Sequence, residues 1–208
     1  MRKWFNTFTT RQFGNPSGLF GKFIGNGMAK RNIYHAQWTV SLLDIQPQQR
    51  VLEIGFGPGV STQIVAEKAS QGFVAGIDHS QTMIQAASQR NAKAIQTGRM
   101  ELKQGEVGSL PYPDESFDIV LSLHSIYFWQ NPVECLREIK RVLRPDGRLA
   151  ITIQPKDKWV QNVDDKVMTL YFGKDLASMF SEAGYRNVRV QIPPAEDRKS
   201  LECVIGEK

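Results

Sequence analysis

Val51-Leu-Glu-Ile-Gly-Phe-Gly-Pro-Gly59 decides how the rest of the chain is read. Residues 51–54 are a short, largely apolar run of the kind that makes a buried strand. Gly55, Gly57 and Gly59 then alternate with Phe56 and Pro58, and Val60, Ile64, Val65 and Ala69 recur at helical spacing. The pattern predicts strand, tight glycine turn, helix. Such a turn uses glycine where the backbone takes unusual dihedrals and a ligand approaches closely. The helix behind it offers unpaired N–H groups and the positive end of its dipole to polar ligand atoms. In an open α/β sheet a nucleotide-like ligand sits at this place. Gly-x-Gly-x-Gly alone also suits a plain strand-to-helix turn, so its surroundings must decide.

Downstream, Phe73-Val-Ala-Gly-Ile-Asp78 reads as a second buried strand ending in an acid. Ser80 is placed to N-cap a helix through Met83, Ile84 and Ala87. A third strand at 100–104 leads into Gly105-Glu106-Val107, and Phe117-Asp-Ile-Val-Leu-Ser-Leu123 is the fourth and most apolar. Asn131-Pro132 reads as N-cap and first helical position, with Glu134 three residues beyond the cap. Arg144-Pro-Asp-Gly147 reads as a turn and 149–153 as the fifth strand. A helix over 174–183 ends at Gly184, and strands at 188–192 and 201–205 flank Pro193-Pro194. Strands alternate with helices through the fifth. The fold class is therefore α/β: a doubly wound, seven-stranded, mostly parallel, Rossmann-like sheet. The last pair adds an antiparallel edge hairpin at the C-terminus. Upstream, Ile33, Ala36, Val40 and Leu43 share one helical face that Pro47 ends, giving an N-terminal helical cap. Residues 1–31 show few regular signals.

A length of 208 residues suits one domain with a substantial core. The 41% hydrophobic and 23% charged content is that of a soluble globular chain, and no apolar run is long enough to span a bilayer. Met1-Arg2-Lys3 is basic, but Trp4-Phe5-Asn6-Thr7 opens no apolar signal region, so a cytoplasmic protein is expected. Cys135 and Cys203 are far apart, form no metal-ligand spacing, and read as core thiols. No metal site is expected. Residues 1–43 hold Arg2, Lys3, Arg11, Lys22, Lys30 and Arg31 and no acid. The net charge of +5 therefore resides in that segment, beside Phe5, Phe8, Phe13, Phe20 and Phe23, and the remainder is near neutral.

The spacing from Gly55 to Asp78 puts the acid at the carboxyl end of the next strand, where it can accept both hydroxyls of a ribose. Glu106 follows the third strand at the same edge. Three neighbouring strand ends thus present a glycine turn, an acid and an acid along one rim.

Val51-Leu-Glu-Ile-Gly-Phe-Gly-Pro-Gly59, Gly76-Ile-Asp78, Gly105-Glu106, Leu110-Pro-Tyr-Pro-Asp-Glu-Ser-Phe-Asp118 and Arg141-Val-Leu-Arg-Pro-Asp-Gly-Arg148 resemble successive motifs of class I S-adenosylmethionine-dependent methyltransferases. The resemblance is to the type 11 group, which includes ubiquinone- and menaquinone-biosynthesis-like enzymes. It implies a single methyltransferase domain over 1–208: a cap or lid at 1–44, a cofactor-binding core at 45–155, and a C-terminal helix and hairpin at 156–208. The cofactor implied is S-adenosyl-L-methionine. Gly55, Phe56, Gly57 and Gly59 would hold its methionine and ribose part, with Glu53 supporting the loop or reaching the amino group through water. Asp78 would bind the ribose hydroxyls, and His79 and Met83 would pack on the adenine. Glu106 would accept from the adenine amino group, beside the Val107 N–H. Family members commonly carry Asp at the position of Glu106. Leu123 and His124 would border the methyl group.

The sulfonium is already electrophilic, so alignment of an acceptor and exclusion of water supply much of the acceleration. A base is needed only where the acceptor loses a proton, and His124 and Tyr127, then Tyr34 and His35, are the candidates. The acceptor expected is a small molecule, aromatic or anionic, met by a basic, aromatic lid over 1–43. A nicotinamide-dependent dehydrogenase would use Gly-x-Gly-x-x-Gly, which the turn lacks. The basic arm suggests a nucleic-acid methyltransferase, but Asn131-Pro-Val-Glu134 is no Asn/Asp-Pro-Pro-Tyr/Phe motif. A protein methyltransferase, or a protein that binds the cofactor without turnover, stays open at this level.

Overall fold

A computed structural model of the chain describes Thr10 and residues 14–159, 164–194 and 200–208, with the backbone alone at 19–26 and 28–31. A long helix, α1 (Gly18–Ser41), precedes the first strand. Then follow β1 (Arg50–Ile54), α2 (Val60–Lys68), β2 (Phe73–Asp78), α3 (Gln81–Arg90), the short α4 (Ala92–Gln96), β3 (Met100–Gln104) and β4 (Phe117–Leu123). After a 3₁₀ turn at Ile126–Phe128 come α5 (Pro132–Val142), β5 (Leu143–Ile153), α6 (Gly173–Glu182), β6 (Arg186–Gln191) and β7 (Glu202–Glu207).

The seven strands form one sheet in the order β3-β2-β1-β4-β5-β7-β6. All pairs from β3 to β5 are parallel. β7 runs antiparallel to both β5 and β6, which makes the edge hairpin the sequence predicts. The chain steps outward from β1 in one direction and from β4 in the other. Their carboxyl ends therefore part into a crevice, the ligand position of such sheets.

Central strands are apolar throughout because both faces are covered. Side chains alternate between the two cores. Val51, Ile119 and Leu121 face Val40 of α1, Leu43 just past its end and Val65 of α2. Leu52, Ile54 and Val120 face Leu136 and Ile139 of α5 and Phe180 of α6. This clamping of β1 and β4 from both sides holds the crevice rigid.

Three local features differ from the sequence reading. Helix α1 begins at Gly18, inside the stretch with few signals, and Ile33 is 49% exposed because its apolar stripe outruns the core. Asn131 occupies the N-cap position of α5, but its backbone is left-handed (φ 50°) and its side chain makes no cap bond. Arg144 to Gly147 is a looped-out bulge within β5, since pairing passes from Phe117 with Leu143 directly to Ile119 with Arg148. Asp146 turns it at φ 60°. Part of the stretch after Pro193-Pro194, residues 195–199, lies outside the described residues, as do most side chains of the basic, aromatic N-terminal segment.

Candidate functional site

The crevice holds a cavity of about 600 Å³ at the carboxyl ends of β1 to β4. Gly55 and Gly57 line it from β1, and Asp78 with His79 from β2. Gly105, Glu106 and Val107 line it beyond β3, and Leu123, His124 and Ser125 beyond β4. Met83 reaches it from α3 while staying 1% exposed. The rim inferred from spacing alone is thus one continuous wall.

The glycine turn divides its work. Gly57 (φ 52°) lines the cavity, and a Cβ there would meet nothing within 4 Å. Its bare backbone is the face a ligand can approach. Gly59 (φ 74°) lies off the cavity, and a Cβ there would come within 2.7 Å of Ala87 in α3. That glycine lets α2 and α3 pack together. Phe56 also lies off the cavity: its side chain is 3% exposed and its ring lies on Gly76 of β2. Its aromatic bulk serves the core, which is why it does not contact the site.

Glu53 is likewise buried (1% exposed) behind the turn, and does not line the cavity. Its carboxylate accepts from the Ser61 hydroxyl and, at 2.8 Å, from the Thr62 hydroxyl in the first turn of α2. Burial pushes its pKa up to about 7 against the pull of those hydroxyls. Of the two roles the family resemblance implies for it, the geometry is that of loop support.

Asp78 is held by backbone donors. One oxygen accepts the Gly57 N–H at 2.8 Å and the other the Ser80 N–H at 2.8 Å. Burial raises its pKa, while those two N–H groups lower it. Each carboxylate oxygen has a second lone pair for a ligand hydroxyl. Glu106 begins the neighbouring turn, bridged to Ser109, on the same wall.

Tyr127 is corrected as a catalytic candidate. It is 2% exposed and off the cavity. Its hydroxyl accepts the Gln154 N–H at 2.7 Å and donates to the Gln154 carbonyl at 3.1 Å. Burial holds its pKa above the ordinary phenol value. The hydroxyl is thus spent on pinning the loop after β5. Tyr34 packs edge-on against His35 and does not line the cavity.

Several lining residues carry no sequence motif. Ser125, Phe128, Trp129 and Cys135 complete the β4 side. Trp129 Nε1 donates to Ser125 Oγ at 3.1 Å, which lies 2.6 Å from Ser122 Oγ. Their one legible signal is position, just past a strand's carboxyl end. Burial pushes the Cys135 thiol up to about 11, so it is a protonated wall group. From the N-terminal segment, Gly14, Asn15 and Pro16 line the cavity. Gly14 lies against the Phe128 ring, and Ser80 donates to the Pro16 carbonyl at 2.6 Å. This strap falls within the 1–44 segment expected to act as the lid. Its lining atoms are uncharged, and no Lys or Arg lines the cavity among the described residues.

These residues fit S-adenosylmethionine. Gly57 leaves backbone bare, Asp78 offers lone pairs from a carboxylate already fixed in place, and Met83 and Val107 supply an apolar slot before Glu106.

Comparison with known proteins agrees with that fit. A family model described as a methyltransferase domain matches residues 52–151. The chain is 29% identical over 181 residues to the uncharacterized methyltransferase YdaC of Bacillus subtilis, covering 87% of this chain and 95% of that protein. It is 31% identical over 157 residues to a demethylmenaquinone methyltransferase of Listeria welshimeri, covering 71% of this chain and 66% of that one. In fold, it matches the crystal structure of a SAM-dependent methyltransferase from Aquifex aeolicus with a TM-score of 0.71 over 96% of each chain, at 19% identity.

Proposed function

The chain belongs to the class I S-adenosylmethionine-dependent methyltransferases of type 11, and from that premise we propose that it methylates a small molecule within the cavity described above. The observation that carries the acceptor reading is the cavity itself. About 600 Å³ is the size range of small-molecule sites, and the strap of Gly14, Asn15 and Pro16 adds to its wall. The Listeria relative is named for demethylmenaquinone, which favours the same reading.

The bound cofactor supplies an electrophilic methyl group on a sulfonium. The protein's own part is to bind, orient and exclude water. In this reading the Gly57 backbone lies along the cofactor, and Asp78 takes the ribose hydroxyls with the lone pairs that Gly57 and Ser80 leave. Met83, His79 and Val107 flank the adenine, and Glu106 accepts from its amino group. The β2 and β3 side of the cavity thus holds the nucleoside. The β4 side, with Leu123, Phe128 and Trp129, holds the acceptor against aromatic faces. Residues 1–208 act as one domain whose 1–44 segment closes the site over the 45–155 core. No described helix is long and apolar enough to cross a membrane, and a cytoplasmic enzyme is the accompanying reading.

Two measurements test this. Calorimetry with S-adenosylmethionine and S-adenosylhomocysteine tests the cofactor site. A screen of small acceptors beside tRNA and protein, read by S-adenosylhomocysteine release, tests the acceptor. Turnover confined to the macromolecules would overturn the small-molecule reading.

A further inference from the structure

His124 and His35 form a pair at the acceptor end of the cavity. His35 Nδ1 lies 2.8 Å from His124 Nε2, with ring centroids 4.9 Å apart and planes at 63°. His35 belongs to α1, whereas His124 is the first residue past β4. The backbone at His124 is left-handed (φ 57°), a conformation uncommon among non-glycine residues, and its N–H is tied to the Thr152 carbonyl at 2.9 Å. One turn further along α1, Thr39 Oγ1 meets Thr152 Oγ1 at 2.7 Å in a buried contact. Two polar bonds, four residues apart on α1, therefore dock this helix on the carboxyl ends of β4 and β5. Of the two imidazoles, His124 lines the cavity and His35 stands behind it.

An N–H···N bond between imidazoles needs one donor and one acceptor. The neutral pair meets this with the same tautomer on both rings, Nδ1–H on each or Nε2–H on each, because Nδ1 of one faces Nε2 of the other. One added proton turns it into a charge-assisted bond, which is stronger. A second would put hydrogen on both facing nitrogens and break it. The pair therefore takes up one proton readily and resists the next, and its titration belongs to both rings together. The phenols in contact with it do not compete. Tyr34 is edge-on to His35 at 6.3 Å. Tyr127 stacks on His124 at 6.3 Å with its hydroxyl 3.5 Å from Nδ1, but that hydroxyl's proton goes to the Gln154 carbonyl.

Resting on the methyl-transfer reading above, we propose that His124, positioned by His35, is the general base of the reaction, and that the acceptor is a flat molecule methylated on an acidic hydroxyl, a phenol or enol. Phe128 and Trp129 on the same wall offer the faces such a ring would stack on. The step balances. The hydroxyl proton passes to His124 Nδ1 while His124 Nε2–H donates to His35 Nδ1, the oxygen's electron pair forms the bond to the methyl carbon, and the carbon–sulfur pair stays on sulfur. The positive charge lost by the sulfonium reappears as imidazolium shared between His124 and His35. An amine that reaches the site already neutral, or a thioether, would make no use of this pair.

The test uses 4-nitrophenol, whose phenolate absorbs visible light, bound to the full-length protein loaded with S-adenosylhomocysteine. The wild type is expected to ionise the bound phenol about tenfold more readily than water does, a downward shift of about one pH unit. His124→Asn should abolish the shift, and the fold should survive because Asn tolerates a left-handed backbone. His35→Gln keeps a good helix former in α1 and a polar side chain, but cannot share a proton. It should bind the phenol equally well yet lose most of the shift, a spectroscopic change that a purely structural role would not produce. ¹⁵N spectra of the imidazoles should show the His35 and His124 rings titrating together. An unshifted phenol in the wild type, the same shift in all three proteins, or no phenol binding while S-adenosylhomocysteine binds, would overturn the base alone. Failure of S-adenosylhomocysteine itself to bind would overturn the methyl-transfer reading beneath it.

Discussion

Asp78 of β2 accepts the backbone N–H of Gly57 at 2.8 Å, so the acid at the end of one strand holds the glycine turn at the end of its neighbour. Its other oxygen holds Ser80, and the Ser80 hydroxyl holds the Pro16 carbonyl of the strap. Turn, acid, helix start and strap form one connected set of hydrogen bonds. A change at Asp78 should therefore be felt at every part of the cofactor site.

Asp78→Ala removes charge-assisted acceptors for the ribose and leaves two backbone donors unpaired. S-adenosylmethionine affinity should fall by about 2–4 kcal/mol, roughly thirtyfold to a thousandfold. Calorimetry on the folded variant checks this, and unchanged affinity would remove Asp78 from the site.

Gly57→Ala and Gly59→Ala should fail in different ways. At Gly57 the new methyl meets no protein atom within 4 Å, so the cost to the fold is the left-handed backbone, about 1–2 kcal/mol. Cofactor affinity should drop at least about tenfold, since the methyl occupies the ligand's approach. At Gly59 the methyl comes within 2.7 Å of Ala87 and of the Asn91 side chain. Its melting temperature should fall further than that of Gly57→Ala. Thermal melts beside calorimetry separate the two, and equal losses in both assays would contradict the division of labour.

Glu53 should impose a pH dependence on stability. Its pKa rises from an ordinary 4.5 to about 7 on burial, so the folded protein binds this proton more tightly than the unfolded chain does. Stability from this group is fully present below about pH 4.5 and is lost as pH rises to about 7. Above that, an ionised carboxylate stays buried at a cost on the order of 3 kcal/mol. Glu53→Gln keeps the shape and removes the charge. It should flatten that part of the stability profile and stabilise the protein at pH 8. Urea unfolding at pH 5 and pH 8 measures it, and an unchanged difference between the two would refute the assignment.

Tyr127→Phe should behave as a structural change. It removes a hydroxyl that donates to one Gln154 backbone group and accepts from the other, so stability should fall by about 1–3 kcal/mol. S-adenosylmethionine affinity should hold within about twofold, below 0.5 kcal/mol. A large loss of cofactor binding with unchanged urea stability would restore Tyr127 to the site.

What the sequence determined by itself was local in character. Apolar runs, helical spacing and the glycine turn placed each strand through β5, because burial imposes its period on the residues of a single element. The rim of Gly55, Gly57, Asp78 and Glu106 followed, since strand ends in a parallel sheet share an edge. Only the tertiary structure decided what each side chain at that edge does. Glu53 turned to Ser61 and Thr62, Phe56 to Gly76, and Tyr127 to Gln154, while His124 met His35 from 89 residues away. Such partners depend on how helices cross the sheet and which rotamers the packed core allows. No periodicity within one segment encodes a distance between two.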